Sequence, residues 1–269
     1  LTTHLSGRAR RLTAVAASLL LALSACAPAS GNPRLQSIAV TAEPSPTVTA
    51  TPTPTPTTAP IPAEGAPLED GTAPCPAGEF QAEVEAALDR IGTYGRVVVD
   101  GRQSVLDCDT IVRFQARMGI EPHDGTPGPT THDVADRIAA TDVTQCPISD
   151  APVACVDLTN QTFYIAQNAV VLLGPTVTRT GMPGWSTPAG DYPIGRKAPR
   201  EWSVPFSVWL PSWQQFYFGD GLHETTTYIH NMWNGSHGCV NLLHEDAGNA
   251  YQILSVGSTV HLYGRRPGT

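Results

Sequence analysis

Apolar positions along the chain follow two different periods. Between residues 79 and 140 they recur every three to four places, the spacing of an amphipathic helix. Glu79 to Ile91 carries Phe80, Val84, Leu88 and Ile91 on one face and closes at Gly92, suited to a left-handed C-terminal cap. Asp107 to Met118 aligns Ile111, Phe114 and Met118 and stops at Gly119. A third helix is predicted from Thr131 to Ala140, capped by Thr130, with Asp133 three residues on and Val134 and Ile138 facing inward. Beyond Asp150 the pattern becomes that of strands. Val153 to Leu158, Thr162 to Ala166, Val170 to Thr178 and Thr259 to Tyr263 are β-branched and aromatic runs, the first three separated by the turn dipeptides Asn160-Gln161 and Gln167-Asn168. One helix, Glu245 to about Leu254, precedes the last strand and ends near Gly257. The chain therefore reads as α+β, a small three-helix unit followed by a β-rich sandwich.

The first 74 residues follow neither period. His4, Arg8, Arg10 and Arg11 form a basic start, and the apolar run from Leu12 to Leu23 is too short to cross about 30 Å of hydrocarbon comfortably, so residues 1–25 read as a signal peptide. Leu23-Ser24-Ala25-Cys26 resembles the lipobox of bacterial lipoproteins, in which the cysteine is acylated; the alternative is ordinary cleavage beside an incidental cysteine. Residues 26–74 are rich in Pro, Thr, Ala and Ser, with Thr51-Pro52-Thr53-Pro54-Thr55-Pro56 at the centre, and cannot form a core. At about 3.1 Å per residue such a linker reaches on the order of 150 Å. Residues 75–148 and 149–269 then divide into the helical and the β-rich domain. The net charge of −8, with no basic cluster beyond the signal peptide, argues against nucleic acid as a partner.

The chemistry concentrates in Ser236-His237-Gly238-Cys239-Val240-Asn241, with His223 sixteen residues before the cysteine. A thiol becomes a useful nucleophile when a neighbouring base takes its proton, and imidazole is the usual agent. Gly238 lets the backbone turn sharply beside it. These residues resemble the signature of the L,D-transpeptidase (YkuD-type) catalytic domain: a histidine, a spacer, Ser/Thr-His-Gly-Cys, a hydrophobic residue and Asn or Arg. The likeness spans most of residues 152–264, including Arg179-Thr180-Gly181, Thr187-Pro188-Ala189-Gly190 and Gly264-Arg265-Arg266. Val99-Asp100-Gly101, Arg113-Phe114-Gln115, Asp124-Gly125 and Gly128-Pro129-Thr130-Thr131 look like a peptidoglycan-binding domain, a helical spacer being the alternative. The whole is similar to actinobacterial lipoprotein members of the family.

The resemblance implies that Cys239 attacks the third-residue carbonyl of a peptidoglycan tetrapeptide stem, releases D-Ala and passes the acyl group to the amine of a second stem. His223 is then the general base, oriented by the Glu224 carbonyl, with the backbone of Gly238 and Cys239 facing the oxyanion. His230 is the alternative base and otherwise a substrate contact. Ser236, His237 and Asn241 are read as holding the loop or touching substrate. Trp202, Trp209, Trp213, Phe216, Tyr217 and Phe218 either wall the groove or pack in the core. Water as acceptor would make the same residues an L,D-carboxypeptidase, and an inert Cys239 a wall-binding lipoprotein. Zinc held by His223, His230, His237 and Cys239 is disfavoured by their spacing, so neither metal nor cofactor is implied. Carbapenems, which acylate the cysteine of this family, are expected inhibitors. A monomer on the outer face of the plasma membrane, anchored at Cys26 and acting on stem peptides, is the expected setting. The four remaining cysteines allow three pairings, of which Cys75 with Cys108 and Cys146 with Cys155 is favoured.

Overall fold

The computed structural model describes residues 75–269, so the signal peptide, Cys26 and the Pro/Thr linker lie outside the described residues. The N-terminal part holds helices α1 (Gln81–Ile91), α2 (Val105–Met118) and α3 (Pro129–Ala139). Gly92 and Gly119 end the first two in the left-handed conformation, at φ 69° and 65°. Helix α2 begins two residues before the predicted start, because Ser104 and Asp107 close a reciprocal capping box. Thr130 does not cap α3: the helix starts at Pro129 behind Gly128, with no side-chain cap. Proline's fixed φ and missing N–H suit the first helical position and move the start ahead of Thr130. The Asp100-Gly101 turn is tied to α1 by buried Glu85, which accepts from both backbone N–H groups at 3.0 and 2.8 Å.

The rest is one nine-stranded mixed sheet, curled into a half-barrel, with α4 (His244–Ile253) against it. In chain order the strands are β1 (Val153–Asp157), β2 (Thr162–Gln167), β3 (Val170–Arg179), β4 (Gly190–Pro193), β5 (Arg196–Ser203), β6 (Val208–Tyr217), β7 (Asp220–Glu224), β8 (Val240–Leu242) and β9 (Thr259–Tyr263). Their order across the sheet is β4-β9-β1-β2-β3-β8-β7-β6-β5, antiparallel except for the parallel pairs β1/β9 and β7/β8. Its concave interior joins both ends of the sheet in one apolar core, Val156, Phe163 and Val260 meeting Leu222, Val240 and Leu242 beneath Ala247 and Ala250 of α4. Burial on this scale supplies the main driving force for the curl. Of the aromatic segment, Trp213 and Phe216 are buried, whereas Trp202, Trp209 and Phe218 are exposed and Tyr217 is half-buried.

The helical core is completed by residues of the sheet half. Val84, Leu88, Ile111, Phe114, Met118, Val134 and Ile138 pack against Val177, Ile229 and Leu243. Polar contacts reinforce the join. Arg117 forms a two-pronged ion pair with Asp246 of α4, at 2.6 and 3.1 Å, and Thr176 donates to the same fully buried carboxylate at 2.6 Å. Asp246→Ala strands the Arg117 guanidinium, so the variant should lose about 3–5 kcal/mol of stability in urea unfolding. Of the three pairings open to the cysteines, the structure has Cys75–Cys108, on α2, and Cys146–Cys155, which fastens the segment after α3 to β1.

Candidate active site

Cys239 and His223 are brought together by the parallel pairing of β7 and β8. Leu222 stands opposite Val240 and His223 opposite Asn241. Leu222 and Val240 point into the core, so the two-residue period of a strand sends Gly221, His223, Cys239 and Asn241 to the other face. With strands about 4.8 Å apart and about 3.3 Å of rise per residue, the Cα atoms of His223 and Cys239 are separated by roughly 8 Å. Both residues line a cavity of about 430 Å³, together with Asp220, Ser236, Asn241 and Phe206 of the β5–β6 turn.

Backbone hydrogen bonds fix the loop that delivers the thiol. Ser236 N–H donates to the Thr180 carbonyl at 3.1 Å, and Met182 N–H to the Ser236 carbonyl at 2.9 Å. Thr187 Oγ1 donates to the Gly238 carbonyl at 2.8 Å, and Ser236 Oγ to that of Cys239 at 2.6 Å. Arg266 reaches across from the C-terminal segment and donates to the carbonyls of Thr180, Gly181, Met232 and Asn234. Gly238 sits at φ 122°, a conformation open mainly to glycine, and a Cβ there would come within 2.3 Å of Asp220 Oδ1. Its N–H, expected to face an oxyanion, instead donates to Ser236 Oγ at 3.1 Å, because the glycine turn folds it back into the loop.

His223 is almost fully buried and packs against the Trp213 ring, with centroids 5.9 Å apart. Its Nδ1 lies 2.9 Å from the Glu224 carbonyl, which can only accept. Nδ1 therefore carries the proton, and Nε2 is left as the basic nitrogen. Thr225 Oγ1 lies 3.2 Å from the same Nδ1 and donates to the same carbonyl at 2.6 Å. Burial pushes the imidazole below its ordinary pKa, partly offset by the bond to Glu224. Burial also pushes the Cys239 thiol up to about 12, against a backbone hydrogen bond from Gly221 and with a further upward push from Asp220. The resting pair is thus neutral thiol and neutral imidazole.

A pH dependence follows directly. Thiolate is the reactive species, and a raised pKa lowers its fraction at every pH below that value. Cys239, the free cysteine among the described residues, should react with iodoacetamide at pH 7 at least about tenfold more slowly than free cysteine. The rate should keep climbing beyond pH 9, which peptide mapping of the alkylated chain would read.

The other candidates separate. Asn241 donates to the Tyr228 hydroxyl at 2.8 Å and lines the cavity. His237 also lines it, but its exposed ring lies between Trp185 and Phe206, at centroid distances of 4.8 and 4.4 Å. His230 is elsewhere: its Nε2 is 3.0 Å from the Gly119 carbonyl at the end of α2, and it lines a second cleft beside α3. Among the described residues no three His, Cys, Asp or Glu side chains converge as metal ligands. Asp220, Gly221 and Tyr228 are site residues that the linear motif does not flag, whereas Thr187 lies in the stretch Thr187-Pro188-Ala189-Gly190 that carries the family likeness. Arg266 lies in the quoted Gly264-Arg265-Arg266, which offered the one available signal for it.

A thiol and a tautomer-fixed imidazole sharing one cavity beside the paired strands β7 and β8 define a cysteine-dependent acyl-transfer enzyme. Residues 151–262 match the L,D-transpeptidase catalytic domain, YkuD. The chain belongs to the L,D-transpeptidase family: it is 45% identical to an L,D-transpeptidase from Stackebrandtia nassauensis, over 76% of this chain and 100% of that one, with a TM-score of 0.71. An L,D-transpeptidase from Mycobacterium smegmatis is 22% identical over 42% of this chain and 58% of its own, with a TM-score of 0.39. One from Xylanimonas cellulosilytica is 18% identical over 74% and 100%, at 0.43. Comparison with curated proteins finds no match. The family is one of cysteine-dependent enzymes of peptidoglycan cross-linking in the cell envelope. Among the described residues no helix is long and apolar enough to cross a membrane.

Proposed function

We propose that this chain is a lipid-anchored L,D-transpeptidase that joins two peptidoglycan stems through their third residues. The observation that carries the reading is the 2.9 Å contact from His223 Nδ1 to the Glu224 carbonyl, which leaves Nε2 basic on the face that presents Cys239. His223 takes the thiol proton as sulfur attacks the third-residue carbonyl of a tetrapeptide stem. The C–N bond breaks, and the imidazolium returns the proton to the departing D-Ala amine. With the Gly238 N–H committed to Ser236, the Cys239 N–H is the donor assigned to the oxyanion, a bond worth about 3 kcal/mol in the transition state. An amine of a second stem then displaces the thiol.

In this reading residues 1–25 direct export, Cys26 carries the lipid, and residues 26–74 hold the helical (75–148) and catalytic (149–269) domains out from the outer face of the plasma membrane. The helical domain serves as a wall-facing module. Carbapenems acylate Cys239 by the same attack. The test incubates the purified chain with a disaccharide-tetrapeptide and follows products by mass spectrometry. A dimer lacking one D-Ala establishes the function. Tripeptide without dimer replaces it with L,D-carboxypeptidase action, and no product at all refutes it for this substrate class.

A further inference from the structure

Asp220 lines the same cavity as Cys239 and His223, and it is the one carboxylate among the described residues that do so; no Lys or Arg joins it. Its oxygens lie against the backbone of Gly238, so close that a Cβ on that residue would meet Oδ1 at 2.3 Å and Oδ2 at 2.6 Å. It is half-buried, and burial pushes its carboxyl up to about 6 with no hydrogen bond from a neighbouring donor to hold it down. A carboxylate so placed opposes ionisation of the adjacent sulfur. Its contribution must therefore fall in a step where positive charge arrives at the same spot.

Resting on the function proposed above, that step is the entry of the acceptor. A primary amine reaches the site as an ammonium ion, which cannot attack. We propose that Asp220 is the acceptor-amine subsite: its carboxylate binds the incoming ammonium beside Cys239 and takes one proton from it, so that the cavity favours amine transfer over hydrolysis. The balance is complete with the groups present. The ammonium gives one proton to Asp220, which passes it to solvent. The neutral amine adds to the thioester carbonyl, the new C–N bond forms and the C–S bond breaks. The second proton moves through His223 to the departing sulfur, leaving an amide and a neutral thiol. Beside a half-buried carboxylate, an ammonium–carboxylate contact is stronger than the same pair in bulk solvent.

The test uses the full chain as wild type, Asp220→Asn and Asp220→Glu, with the disaccharide-tetrapeptide as donor and a tripeptide stem bearing a free side-chain amine as acceptor. The readout is the ratio of cross-linked dimer to hydrolysed tripeptide at equal D-Ala release. Asp220→Asn should lower this ratio at least tenfold and raise the half-saturating acceptor concentration, and Asp220→Glu should restore part of it. A ratio unchanged in Asp220→Asn overturns the proposal. In the wild type alone, an acceptor analogue with a trimethylated amine should inhibit dimer formation at least tenfold better than the N-acetylated analogue; equal inhibition also overturns it. Absence of D-Ala release from the wild type is a different failure, since it removes the proposed function itself and this subsite with it.

Discussion

Replacing Cys239 with alanine should abolish dimer, tripeptide and D-Ala release together, a loss of at least about 10⁴-fold. Among the described residues no second thiol is available to substitute, since the other four cysteines there are tied in disulfides. Alanine fits the same loop: it forfeits only the Gly221 contact to the thiol, while the bonds through Thr180, Ser236, Gly238 and Arg266 do not use the Cys239 side chain. The variant should therefore keep its melting temperature while losing chemistry. It should also show no covalent mass increase with a carbapenem, where the wild type gains one adduct at Cys239. A variant that still releases D-Ala at more than about a hundredth of the wild-type rate would move the nucleophile elsewhere.

His223→Ala should cost about 10²–10⁴-fold in the rate of D-Ala release. No neighbouring histidine is placed to assume the role proposed for this imidazole, because His230 faces Gly119 in a different cleft and the exposed His237 ring is held between Trp185 and Phe206. The thiol is pushed up to about 12, so without an acceptor for its proton the reactive form is scarce near neutrality. Raising the pH should then recover part of the rate in His223→Ala, with the rate still rising above pH 9. The wild type, in which the proposed base takes the thiol proton during attack, should need no such rescue. His230→Ala is the control; a loss as large as that of His223→Ala would reverse the assignment.

The parts of the fold that were legible in the sequence are those that bury much apolar surface, on one face in the helices and on both in β1 and β2. Helices α1 and α2 announce themselves through apolar spacing and the glycines that end them, and β1, β2, β3 and β9 through β-branched runs. The hairpin of β5 and β6 was not legible. Arg196 to Ser203 reads Arg-Lys-Ala-Pro-Arg-Glu-Trp-Ser, and its burial alternates weakly because it is the edge of the sheet. An edge strand that buries neither face has little alternation to inscribe. The same division holds at the site. Cys239, His223 and the Glu224 carbonyl are close in a linear motif, so they could be named from it. Asp220 precedes His223 by three residues yet means nothing until β7 lies beside β8, and Thr187 and Arg266 reach the loop from opposite sides of it in sequence.

Ile229 and Leu243 flank the catalytic strand and loop in sequence, yet their side chains are seated in the core of the three helices. Inactivating changes therefore need not touch the groove. A substitution at Phe114 or Val134 that loosened their seat would release the chain on either side of the thiol, so the mutational target of the chemistry extends across a helical unit that holds none of its reacting atoms.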